Sequence, residues 1–206
     1  MIIGLSGRKQ AGKDTVASYL FRQAEQNLNL YVERYGFADS LKDTCMQFFG
    51  LSYDQCYGTD MEKNEPSSVP WWRYPGETPS HVDRFGPMTV REVLQYFGAL
   101  VRAMNPDAFV QATLHNIEDD DPELALITDV RFPNEVQAIH AAGGKVIRLT
   151  RSPLQDSHVS EHALDDWTEW DLVIDNQDLT VEATNSLARL ALVGWANGRS
   201  DPLAVL

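Results

Sequence analysis

Between an apolar run and an amphipathic one, the chain carries Gly7-Arg8-Lys9-Gln10-Ala11-Gly12-Lys13-Asp14-Thr15. Glycines at this spacing let the backbone curl so that successive N–H groups point at one anion. A helix opening at Lys13 adds its positive end to that point. Lys13 supplies a full charge suited to the β- and γ-oxygens of a nucleoside triphosphate, and the arrangement is that of a phosphate-binding loop. Asp14 stands where a hydroxyl residue is normally expected directly after the lysine, and Thr15 follows one place later. Gly7, Lys9, Ala11, Gly12, Lys13, Asp14 and Thr15 are the expected cofactor-binding set. A strand-to-helix turn that holds no ligand is the plain alternative.

A phosphate loop does not reveal its acceptor, which has to be sought elsewhere in the chain. Arg91, Gln95, Gly98 and Arg102 recur at i, i+4, i+7 and i+11 and so share one side of a predicted helix over Thr89–Arg102. Two arginine forks flanking an amide suit a phosphate and a base edge, although such a stripe is also an ordinary solvated face. Asp129 and Arg131 follow the apolar run Leu124–Thr128, at the strand end where open α/β sheets bind ligands. Asp129 there could orient Mg2+-bound water and Arg131 could clamp a phosphate, or both could cap the helix that starts at Asn134. Asp39 and Lys42 follow the second strand, where Asp39 is either a catalytic carboxylate or a helix-start residue. Arg148 and Arg151, with the segment Asp156–His162, stand where a phosphoryl-transfer enzyme places lid cations. His158 and His162 lack the HExxH order, so polar contacts are favoured over zinc.

Short apolar runs alternating with helical patterns imply βαβ units on a parallel sheet. Strands are predicted at Ile2–Ser6, Tyr31–Phe37, Leu124–Thr128, Lys145–Leu149 and Leu172–Ile174. Helices are predicted from Lys13 and at Ser40–Phe49, Thr89–Val101, Asp107–Glu118, Asn134–Ala142 and Val181–Val193. Five prolines between Gly50 and Met88 break periodicity, which predicts a loop-rich insertion. Glu118–Asp121 reads as a solvated turn.

The 206 residues, 43% hydrophobic, suffice for one substantial core and suggest a single domain. A formal net charge of −13 argues against broad nucleic-acid binding. Cys45 and Cys56 are too few for a disulfide framework, so a reducing cytoplasm is expected. The apolar start is too short for a signal peptide or a membrane span.

The segments LSGRKQAGKDT, YGFADSLK, TVREVLQYFGALVRAMNPDAFV, ALITDVRFPNEVQAI, GGKVIRLTR and DSHVSEHALDDW together resemble the deoxynucleoside monophosphate kinases of tailed bacteriophages. The resemblance runs from residue 5 to residue 167 and is weakest over 50–88 and after Asn176. It implies a three-layer P-loop fold with a parallel core sheet, an acceptor-binding insertion at about 38–118 and a lid at about 150–167. It further implies transfer from ATP to a dNMP with Mg2+, in host cytoplasm, with homodimerisation left open. Carried onto matching positions, Lys13 serves ATP, Arg131 and Arg151 serve the phosphates, and Arg91, Gln95, Arg102 and Lys42 lie on the acceptor side. The Gly-Lys-x-Thr order resembles adenylate kinase and puts Thr15, with Asp129, on the Mg2+ side. Asp39, Asp129, Lys13, Arg131 and Arg151 are the expected catalytic group. A dephospho-coenzyme A kinase-like enzyme and a noncatalytic nucleotide-binding module are the competing readings.

Overall fold

The computed structural model describes residues 1–77, 79–80, 82–152 and 158–203. These form two compact units, Met1–Phe37 with Ala112–Leu206, and Ala38–Gln111. The chain begins with strand β1 (Ile2–Ser6), helix α1 (Lys13–Asn27) and strand β2 (Val32–Tyr35). The second unit contains α2 (Asp39–Phe49), α3 (Tyr53–Tyr57), α4 (Asp60–Lys63), β3 (Pro66–Pro70), a 3-10 turn at Trp71–Arg73, β4 (Pro87–Thr89) and α5 (Val90–Met104). Then come α6 (Ala108–Asp120), β5 (Leu124–Val130), α7 (Pro133–Ala141), β6 (Lys145–Leu149), α8 (Val159–His162), β7 (Leu172–Ile174) and α9 (Val181–Ala196).

The first unit is an α/β fold whose five-stranded sheet runs β2-β5-β1-β6-β7 with every neighbouring pair parallel. Its inner strands are apolar because both faces are covered: Ile3, Leu5, Leu124, Leu126, Ile127, Ile147 and Leu149 are buried. Helix α1 turns Val16, Ala17, Leu20 and Ala24 inward, and α9 packs beside it through Ala188, Ala191, Leu192 and Trp195. Gly4 is fixed by packing, since a β-carbon there would come within 2.7 Å of Ile139 and 2.9 Å of Val130. The predicted strands all appear. β2 is shorter than expected, and β5 continues through Asp129 to Val130 because its pairing with β1 extends to Ser6 and Val130.

The second unit has its own core of Leu41, Cys45, Leu51, Cys56, Trp71, Met88, Val90, Val93 and Phe109. Leu94, Phe97 and Val101 pack against it as the α5 periodicity requires. Trp71, Tyr74 and Tyr96 meet edge to face, their ring centres 4.8–6.2 Å apart. Cys45 and Cys56 are buried free thiols, and burial pushes the Cys45 thiol up to about 12.

Residues 50–73 carry short elements where a loop-rich insertion was expected, while the described residues of 74–86 are irregular as expected. Capping boxes at Ser52/Gln55 and Thr59/Glu62 start α3 and α4, supplying the orphan amides of very short helices. The antiparallel pair β3/β4 places Pro66 and Pro70 at its ends, opposite Thr89 and Pro87, where the missing N–H costs little. The acidic run is exposed as expected but is not a turn: Glu118–Asp120 close α6, and Asp120 accepts from the Tyr35 hydroxyl at 2.9 Å.

Asp171 fastens the sheet edge, accepting from Lys145 Nζ, Val146 N and His140 Nε2, each at 2.8 Å. Burial raises its pKa, but the bonds from Lys145, Val146 and His140 outweigh that and leave it below the ordinary aspartate value. A depressed folded-state pKa stabilises the fold above the unfolded value, near 4, and that contribution is lost as pH falls through the folded value. Asp171→Asn should therefore cost about 2 kcal/mol at pH 7. In urea titrations the gap to wild type should close as pH drops below about 4.

Candidate functional site

The turn after β1 folds the chain back through positive-φ residues, a glycine among them. Gln10 has φ 60° and Gly12 φ 103°, the latter at the N-cap of α1. Ala11 is fully buried, with its N–H on Arg8 O at 3.1 Å and its carbonyl accepting from Asn176 Nδ2 at 2.9 Å. Gly7 is locked beside Leu149, whose carbonyl would lie 3.0 Å from an added β-carbon. Lys13 is only 8% exposed, and its ammonium donates to Gly7 O at 2.7 Å and Arg8 O at 2.9 Å. Burial, with the field of Arg131, lowers its pKa to about 8, against the opposing fields of Glu161, Asp14 and Asp129. Asp14 and Thr15 are exposed in the first turn of α1.

Because β1 lies between β5 and β6, the chain ends that follow those strands converge on this turn. After β5, Arg131 is pinned through its backbone N–H to Glu135 Oε2 at 2.6 Å, and its guanidinium bonds Glu161. Asp129 accepts from Phe37 N at 2.7 Å and so ties the end of β5 to that of β2. After β6, Arg151 donates its N–H to Asn176 Oδ1 at 2.9 Å and Nη2 to Gln10 O at 3.2 Å, while its buried Nε meets no partner. Arg148 bonds Ser6 Oγ at 3.0 Å and lies over the Trp170 ring. The structure thus gathers Lys13, Asp129, Arg131 and Arg151 around the loop.

A half-open cleft of about 270 Å³ adjoins the loop, lined by Gly12, Thr15, Arg151, Asn176, Leu179 and Asn185, among others. Asn185 Oδ1 is buried there without a hydrogen-bond partner. Sequence reasoning missed this cleft, since Asn176, Leu179 and Asn185 belong to no motif. It also missed Glu135, whose place three residues into a helix begun by Pro133 is a legible capping signal.

In the second unit, Arg91, Gln95, Gly98 and Arg102 do share one stretch of α5. Arg91 is held by Asp60 at 2.5 Å and Asn64 at 3.0 Å, and Arg102 lies over the Phe109 ring at 4.7 Å. Gly98 leaves room for Leu41 and the Arg102 guanidinium. Lys42 pairs with Asp39 at 3.0 Å and sits over the Tyr57 ring at 4.1 Å. Asp39 stands in the first turn of α2.

Of the proposed lid, 153–157 lie outside the described residues. His158 caps α8 by accepting from Ser160 N, and His162 meets Asp165, which also bonds Arg8 at 2.7 Å. Lys9 donates its backbone N–H to Glu161 at 2.7 Å.

Thr15 and Asp129 are hard oxygen donors of the kind Mg2+ takes, few enough to leave most of its shell to water and phosphate. The residues present therefore fit the ion.

The buried ammonium has a thermodynamic signature. With a folded value near 8 and an unfolded value near 10.4, the unfolded chain holds more protons between them, so stability rises with pH across that window. Lys13→Met removes this slope. Wild type should gain about 3 kcal/mol on the variant between pH 7 and pH 11, read as the difference between paired urea titrations.

A family model for deoxynucleotide monophosphate kinase matches residues 77–187, more than half of the chain. The chain is 32% identical over 191 residues to the "Putative deoxynucleotide monophosphate kinase" of Acanthamoeba polyphaga mimivirus, covering 85% of this chain and 88% of that one. That relative comes from a mimivirus and gives no support to a bacteriophage source. The crystal structure of shikimate kinase from Aquifex aeolicus aligns over 96% of this chain and 99% of that one, with 14% identity and a TM-score of 0.44, too low to carry an argument. No helix among the described residues is long and apolar enough to cross a membrane. On the family model and the mimivirus relative, the chain belongs to the deoxynucleotide monophosphate kinase family.

Proposed function

We propose that the protein transfers the γ-phosphoryl group of ATP directly to a deoxynucleoside 5'-monophosphate, giving dNDP and ADP. The observation that carries this reading is the convergence of Lys13, the loop amides, Arg131 and Arg151 at the carboxyl ends of β1, β5 and β6. Phosphoryl transfer needs little covalent help from a protein, and placement and charge stabilisation do most of the work.

In this reading the amides from Gln10 to Thr15 hold the β-phosphate, the Lys9 amide faces the γ-phosphoryl group, and Lys13 spans the β- and γ-oxygens from a position already stripped of water. Desolvation that makes the ammonium costly to bury also makes it strong toward developing phosphate charge. Arg131 neutralises the transferred group, and Arg151 lies between loop and cleft, where it contacts the nucleotide. The cleft beside Gly12 is the proposed place for the base, next to Arg151. Thr15 and Asp129 are the groups that would hold Mg2+, which when bound neutralises charge on the β- and γ-oxygens.

Arg91, Gln95 and Arg102 are the proposed acceptor contacts, with Lys42 and Asp39 as further polar groups of the same unit. The partners of Arg91, Arg102 and Lys42 inside that unit keep those side chains ordered, so a phosphate meets preplaced cations and loses less entropy on binding. A deoxynucleoside monophosphate is favoured over the dephospho-coenzyme A alternative by the family assignment.

An ADP-release assay over all dNMPs and NMPs tests the reading. ADP release should require a dNMP, and Lys13→Met should lower turnover roughly 10²-fold or more. Release without any nucleotide acceptor, or only with an unrelated one, would reject the assignment.

Arg102→Ala should raise KM for dNMP on the order of 10-fold and leave KM for ATP near wild type. Arg91→Ala should do the same and also lower unfolding stability, since Asp60 and Asn64 lose their partner. Steady-state kinetics beside thermal melts separate the two effects.

A further inference from the structure

The donors that a terminal phosphoryl group would use are engaged by a carboxylate of the chain itself. Glu161, on the single turn α8, is 7% exposed at its side chain. Its Oε2 accepts from the Lys9 amide at 2.7 Å and its Oε1 pairs with Arg131 Nη1. Its charge also acts on Lys13, raising that pKa against burial. One anion therefore addresses a loop amide, the arginine after β5 and the field of the loop lysine together.

These three groups share the property of binding anionic oxygen, and a terminal phosphoryl group offers more oxygens and more charge to the same set. Two neighbouring contacts place the carboxylate. His158 caps α8 from within the segment through Ser160 N, and Asp165 ties the segment to Arg8 at 2.7 Å on the far side of Glu161. The arginine does not depend on Glu161 for its backbone position, because Glu135 already holds the Arg131 and Phe132 amides at 2.6 and 3.0 Å. What Glu161 adds is occupancy of the side-chain fork and of the Lys9 amide.

Building on the proposed nucleotide site, we propose that Glu161 is a specificity-determining residue that occupies the terminal-phosphoryl subsite and competes with it. A nucleoside triphosphate displaces the carboxylate and takes Arg131 and the Lys9 amide. A diphosphate ends short of these groups and leaves Glu161 in place. The competition reduces triphosphate affinity by the share of protein in which the carboxylate is docked and leaves diphosphate affinity untouched. Glu161 thus sets the ratio of ATP to ADP binding and eases the return to the docked state once the phosphoryl group has left.

The test is calorimetric titration of wild type, Glu161→Gln and Glu161→Ala with MgATP and with MgADP, with thermal melts to confirm folding. Gln keeps the shape of the side chain and removes its charge, and Ala removes both, so either folded variant suffices. The expected result is ATP binding about 10-fold tighter than wild type with ADP binding within about 2-fold. A merely supporting role, in which Glu161 holds Arg131 ready for ATP, gives the opposite sign. Weaker ATP binding, or an unchanged ratio of ATP to ADP affinity, would overturn the proposal. If wild type binds neither nucleotide, the kinase reading falls as well, an outcome distinct from one in which both bind and the ratio stays fixed.

Discussion

A lysine ammonium removed from water at the start of a helix is the constraint around which the first unit is arranged. Burial and the field of Arg131 pull its pKa down, to a folded value near 8. The charge persists at neutral pH because Gly7 O and Arg8 O accept from it and because Glu161, Asp14 and Asp129 supply opposing fields. Those groups can be near only if β1 is central in the sheet, so that segments following β5 and β6 end beside the loop that follows β1. Strand order, loop conformation and charge balance are therefore one problem with one solution. An ammonium so placed is ready to bond an anion more strongly than the carbonyls it now holds.

The second unit solves a different problem. Its core is rich in aromatic and sulfur side chains, and its short elements are held together by caps and edge-to-face rings more than by long strands or helices. Each of its candidate binding cations lies against an acid or a ring: Arg91 on Asp60, Lys42 on Asp39 and Tyr57, Arg102 on Phe109. Such pairs are worth little to stability at a surface. What they do is hold long, flexible side chains in one place, as the proposed acceptor role requires.

The sequence made the first unit largely legible because parallel strands covered on both faces read as unbroken apolar runs, and the glycines and Lys13 of the loop have few other uses together. The place of Asp129 and Arg131 was also visible, since a polar pair at the end of such a run sits at the carboxyl end of the strand. Residues 50–88 were not, because elements of three to five residues show no periodicity. The capping boxes of Ser52 and Thr59 were their only local signal, and three of the five prolines that read as breakers, Pro66, Pro70 and Pro87, proved to be strand ends. Glu161, Asn176 and Asn185 were hidden for another reason. Each matters through contacts with residues more than 100 positions away or through a cleft that exists only after folding. Nothing in the neighbourhood of Asn176 or Asn185 marks them, and Glu161, though inside a singled-out segment, shows its partners Lys9 and Arg131 only after folding.

The central claim is direct transfer of one phosphoryl group between two nucleotides, and following that group is the most direct measurement of it. With ATP labelled at the γ-phosphorus and a single dNMP as acceptor, products are separated by chromatography during the first turnovers. The account predicts that the label appears in dNDP, one equivalent for each ADP formed, with none accumulating on the protein. Label recovered as inorganic phosphate while the dNMP stays unchanged would contradict it and make the chain a nucleotide hydrolase instead.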